Sequence, residues 1–133
     1  MEPDEIRRKA RFRHIDFMLR ESRKLRKTLT ELERYHPGRD AITHLEGSLC
    51  GLWLGMRQGR LWDDWAEAHS LGGNTRFRLR HLITTCTELW MVVTDKNEER
   101  MLELRTQMYG EIGVLKQLLV GLETWLKEER KLI

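Results

Sequence analysis

The segment "WDDWAEAH", residues 62–69, brings three carboxylates and an imidazole within about two helical turns. Asp63, Asp64 and Glu67 could share one side of a helix and hold a divalent cation, with His69 nearby. A hard cation needs more oxygen ligands than one short helix supplies, so a second pair would have to come from elsewhere. Glu99 and Glu103, spaced i, i+4, offer such a pair, as in helical-bundle metal enzymes. Neither pair carries a Glu-x-x-His sequence, and the acidic residues read better as solvated helix faces. No metal or other cofactor is expected.

His44, His69 and His81 titrate near neutral pH and have the chemistry of general bases, but none has a nucleophile at a diagnostic spacing. His81 and Cys86, five apart, diverge on a helix and form no convincing dyad. Cys50 and Cys86 sit in apolar segments without close spacing, which predicts two buried, reduced thiols and neither a disulfide framework nor a zinc cluster. No phosphate-binding loop, dinucleotide fingerprint, nucleophile elbow or zinc-protease motif is present. These absences favour a protein that binds over one that catalyses.

Binding chemistry is concentrated in two basic segments. "RRKARFRH" at 7–14 and "RFRLRH" at 76–81 interleave arginine with an aromatic, a combination that neutralises phosphates and stacks on exposed bases. In the first helix Arg7, Arg8, Arg11, Arg20, Arg23, Lys24 and Lys27 spread around the expected exposed sector; Arg76 and Arg80 share a side, with Arg78 facing elsewhere. Phe12 and Phe77 are expected in the core. Such a basic helix suits nucleic acid, an acidic protein or plain solvation. Trp62 and Trp65 cannot both point the same way, so either one is an exposed partner anchor or the two clamp opposite sides of a bundle.

The elements that position these residues are helical. Of 133 residues, 40% are hydrophobic and 34% charged, and both prolines, Pro3 and Pro37, lie near the front. That length predicts one domain over 1–133. Residues 1–27 hold ten Lys/Arg against five Asp/Glu, a balance of +5 in a chain of net charge +3, so the basic character belongs to an N-terminal helix at about 4–35. Ile6, Ala10, Met18, Leu25, Leu29 and Leu32 give that helix an apolar face, flanked by Phe12, Ile15 and Leu19. "HPGRD" stops it, with Asp40 as N-cap of a second helix over about 41–58. A short helix with Leu61, Trp62, Trp65, Ala66 and Ala68 follows, then a break at Gly72-Gly73 with Asn74 or Thr75 as the next cap. Leu79, Leu82, Cys86, Leu89 and Val93, widened by Ile83 and Trp90, form the seam of a third main helix. Asp95 with Glu98 has the form of a capping box for the fourth, which runs to about residue 130 on Met101, Leu104, Met108, Ile112, Leu115, Leu119, Leu122 and Leu126. The predicted fold is all-α: a bundle of four main helices plus one short connecting helix, with helices 3 and 4 an antiparallel hairpin.

Glycine has a register of its own. Gly47, Gly51, Gly55 and Gly59 recur every fourth residue opposite the apolar face of the second helix, and Gly110, Gly113 and Gly121 stand opposite the apolar face of the fourth. Each costs about 1 kcal/mol relative to alanine in a helix. Their alignment predicts close approach, either between helices 2 and 4 or against a second copy of the chain in a homo-oligomer. No apolar run is long enough to cross a bilayer and the N-terminus lacks an apolar signal region, so a cytoplasmic protein is expected, with no membrane partner. The favoured function is a small non-catalytic binding protein whose basic helix contacts nucleic acid or a nucleoprotein complex. Two alternatives follow: a protein-directed adaptor or inhibitor, of the compact accessory kind that mobile elements encode, acting through tryptophan and glycine surfaces, and a metal-dependent helical-bundle enzyme.

Overall fold

The computed structural model describes residues 2–34, 37–59 and 72–133, with side chains at all of these except 49, 52–59, 72–76 and 93–95. Four α-helices and no strand occupy the described residues: α1 (Pro3–Arg34), α2 (Arg39–Gly59), α3 (Gly72–Asp95) and α4 (Glu98–Lys131). The short helix expected after α2 lies outside them.

Local chemistry explains the ends. Pro3 opens α1, where its missing N–H is no loss, and Asp4 and Glu5 in the first turn face the positive end of the helix dipole. α2 starts at Arg39, one residue ahead of the expected start, because Gly38 takes the cap position: the Ile42 N–H donates to the Gly38 carbonyl at 3.2 Å. Asp40 therefore lies in the first turn and is not the cap. α3 also starts early, since Gly72 and Gly73 join the helix and do not break it. Between α3 and α4 only Lys96 and Asn97 remain, and Lys96 takes the left-handed region at φ 54° to turn the chain. The cap must follow that residue. Asn97 fills it, its side-chain oxygen accepting from the Arg100 N–H at 3.2 Å, whereas Asp95 still belongs to α3.

α1 packs on α2 and α4, and α3 packs on the same two helices. The side-chain bonds from α3 reach α4 at residues 100–111, and those from α1 reach it at residues 116–130. With 34 residues, α4 is about 50 Å long and gives half its length to each neighbour. Its stripe of Leu104, Met108, Ile112, Leu115, Leu119, Leu122 and Leu126 is buried throughout, against Ile15, Met18, Leu19, Leu25, Leu29 and Leu32 of α1, Ile42 and Leu45 of α2, and Leu79, Leu82, Cys86 and Leu89 of α3.

Several expected core residues are outside it. Ile6 is 53% exposed and Ala10 is also exposed: α1 meets the last turns of α4 at Arg11 and Asp16, and none of the described residues buries its first turns. Phe77 is 68% and Trp90 44% exposed, both off the line set by Leu79, Leu82 and Leu89. Cys50 is exposed as well, whereas Cys86 is buried; both are free thiols.

Candidate nucleic-acid interface

On α1 the residues opposite the buried stripe carry the charge. Lys9, Arg13, Arg20 and Lys27 are all exposed and share one side of the helix, the last three in steps of seven residues, two helical turns apart. None makes an ion pair among the described residues. Arg7 and Arg8 are likewise exposed and unpaired there, on the turns that overhang α4. The rest of the expected basic set is occupied: Arg11 reaches Glu129 at 2.9 Å, Arg23 stands 3.8 Å from Glu123, and Lys24 stands 3.5 Å from Glu21. Arg80 is exposed on α3, away from this row, and the side chain of Arg76 lies outside the described residues.

The basic row of α1 leads to a cleft at the end of α4. Two concavities, of about 420 and 510 Å³, share Phe12 as a wall. Glu5, Arg8, Lys9, Arg13 and Ile133 complete the first; Thr124, Lys127, Glu128, Arg130 and Lys131 complete the second. Six cationic side chains thus surround one aromatic, against two carboxylates. The Arg130 guanidinium lies 4.7 Å from the Phe12 ring centroid, and an ion pair to Asp16 at 3.1 Å holds it there. Lys127, Arg130 and Lys131 were invisible as a site in the sequence, where a basic last turn is the ordinary complement of a helix dipole.

A second unanticipated feature fixes how α1 and α4 meet. Glu123 is buried, its carboxylate held by Arg26 through Nη2 at 2.7 Å and Nε at 2.6 Å, and by the Ser22 hydroxyl at 3.0 Å. Together with Arg11–Glu129, Asp16–Arg130 and Lys116–Glu33, it sets the register that places Phe12 beside Lys127.

At the other end of α4 polar groups converge on one oxygen of Glu111, while its second oxygen is buried with no hydrogen-bond partner among the described residues. Glu111 gathers His81 Nδ1 at 2.6 Å, the Thr85 hydroxyl at 3.1 Å and the Gln107 amide at 3.0 Å. Burial pushes the neighbouring Cys86 thiol up to about 12, and the Glu111 charge adds to the effect, so this sulfur stays protonated and is no nucleophile. Glu103 is bonded to Arg100, and among the described residues no three His, Cys, Asp or Glu side chains converge on a metal position. His44 is exposed. Asp63, Asp64, Glu67 and His69, with Trp62 and Trp65, lie outside the described residues.

The glycine faces are open within the chain. Among the described residues, a methyl group added at Gly47, Gly110, Gly113 or Gly121 would meet nothing within 4 Å, and at Gly51 it would meet the Glu21 side chain, Oε2 at 3.1 Å. α2 and α4 are not among the closely packed pairs, since α1 and α3 stand between them. Among the described residues, Gly47, Gly51, Gly110, Gly113 and Gly121 make no contact of helices 2 and 4 within one molecule. The surroundings of Gly55 and Gly59 lie outside the described residues.

Comparison with protein-family models, with curated proteins and with solved structures gives no match to this chain.

Proposed function

We propose that the chain is a small, non-catalytic, cytoplasmic binding protein that contacts nucleic acid or a nucleoprotein complex through the basic surface of α1. The observation that carries this reading is the row of unpaired cations Lys9, Arg13, Arg20 and Lys27, joined at the helix start by Arg7 and Arg8. Unpaired cations release counterions when they meet phosphates, whereas a paired one must first give up its carboxylate. We take the chain as one helical domain with α3 and α4 as an antiparallel hairpin. The cross-helix partners Glu88 with Arg100, Thr85 with Gln107 and His81 with Glu111 support it, stepping in opposite directions along the two helices.

The test is affinity for a fluorescent random-sequence oligonucleotide at several salt concentrations. Binding at about 50 mM salt should weaken steeply by about 200 mM, and Arg20→Gln with Lys27→Gln should lower the slope of log K against log salt by about 1.4 for a single strand. No binding at the lowest salt overturns the proposal.

A protein-directed adaptor is the second reading, favoured by the outer face of α4, where Leu102, Tyr109 and Val120 are exposed beside the open Gly113. On this reading a partner protein or a second copy covers that face, and Trp62 or Trp65 anchors it. Trp62→Ala or Trp65→Ala would then abolish partner capture without changing helix content, and retention of capture in both removes the tryptophans from the interface.

A further inference from the structure

We infer that the cleft around Phe12 is a docking site for single-stranded nucleic acid, built jointly by the start of α1 and the end of α4; the inference rests on the nucleic-acid reading above. Charge complementarity identifies the occupant. Arg8, Lys9, Arg13 and Lys127 have no ion pair among the described residues. Arg130 and Lys131 are held only by half-exposed or exposed carboxylates, Asp16 and Glu128, a kind of pairing that phosphates displace at little cost. A polyanion gains at this cleft what α1 alone cannot offer, cations on both walls.

The shape of the cleft selects a single strand over a duplex. The cations Arg8, Lys127, Arg130 and Lys131 line two shallow, largely open concavities beside the α1 row, each within the range of about 300–1,000 Å³ of small-ligand sites, about the size class of a nucleotide. Phe12 borders both, with the Arg130 guanidinium over its ring, so the cleft offers an aromatic and a guanidinium, the two kinds of group on which unstacked bases lie. Duplex bases are already stacked and offer no free face. Lys9 and Arg13 belong both to the cleft and to the α1 row, so a strand leaving the cleft continues toward Arg20 and Lys27.

The experiment compares a fluorescein-labelled oligothymidylate with a duplex of equal length, using the full chain and two variants whose helical circular dichroism is checked. Lys127→Gln with Lys131→Gln, both surface changes on α4, should weaken single-strand binding and lower its salt slope by about 1.4. Phe12→Leu keeps apolar volume but removes the ring, and should weaken binding by about fivefold or more. If the α4 variant binds as the parent does while Arg20→Gln with Lys27→Gln weakens binding, the cleft is refuted and the nucleic-acid reading survives. Tighter binding of duplex than of single strand also refutes it. Failure of both nucleic acids to bind at low salt, with retention of a poly-glutamate probe, overturns both readings in favour of an acidic protein.

Discussion

α1 and α4 bury the same kind of surface and expose opposite kinds. Inside, each presents aliphatic residues at steps of three and four that reach complete burial, Leu25 and Leu29 on one, Leu115 and Leu119 on the other. Outside, α1 shows Lys9, Arg13, Arg20 and Lys27, whereas α4 between Glu103 and Lys127 shows Thr106, Tyr109, Gly110, Gly113, Gln117, Val120, Gly121 and Thr124. Of the four charged residues of that span, Glu111 turns to α3 and Lys116 and Glu123 to α1, while Arg105 is exposed and stands by helical period at the edge of this face. Packing explains the inner faces of both helices and neither outer face. The cations at Arg13, Arg20 and Lys27 stand about 10 Å apart along the axis, roughly one Debye length at 0.1 M salt, so their mutual repulsion costs little. What the outer faces carry is thus not called for by packing among the described residues; on the readings proposed above, polyanions meet one and an uncharged surface the other.

The strongest test of that comparison is to cut into both inner faces. Leu25→Ala on α1 and Leu119→Ala on α4 should each destabilise by about 2–5 kcal/mol in chemical denaturation, because each removes a fully buried side chain and leaves a cavity. A cost below about 1 kcal/mol for either would mean that the two stripes are not equivalent. A smaller effect of opposite sign is expected outside. Gly113→Ala adds a methyl group into open space on a helix and should stabilise by up to about 1 kcal/mol, while Gly51→Ala, 3.1 Å from the movable Glu21 carboxylate, should change stability less. Destabilisation by Gly113→Ala would show that a second copy covers α4 in solution. Smallest of all, Thr106→Lys with Gln117→Lys should change stability by less than about 0.5 kcal/mol and leave helix content intact. If instead these charges dissolve an assembly seen by sedimentation, the uncharged face is an interface between copies.

Legibility from sequence followed the same division. Periodicity found the four main helices and nearly every buried leucine, because a buried stripe repeats every three to four residues and depends on little else. It failed at Ile6 and Ala10, whose spacing is right but which no described residue buries, a fact about where α1 meets α4. Ser22 held an unread signal: a polar residue in the middle of a buried stripe calls for a buried polar partner, and Glu123 supplies it. The cations of α1 were visible as composition, yet which of them are free depended on the carboxylates of α4. Lys127, Arg130 and Lys131 offered no separate signal, since a helix end favours basic residues in any case.

The order of residues along the chain determined by itself that this protein is helical, that its inner faces are leucine-rich and that its positive charge is gathered in α1, for these depend on local spacing. Only the tertiary structure decided that, among the described residues, Gly47 and Gly51 of α2 do not meet the glycines of α4, that Arg11 and Arg23 are engaged while Arg13 and Arg20 have no ion pair, and that Phe12 stands between cations of two helices. Those outcomes require residues a hundred positions apart to be brought within a few ångströms, and the register that does so is set by the buried Glu123 with Ser22 and Arg26.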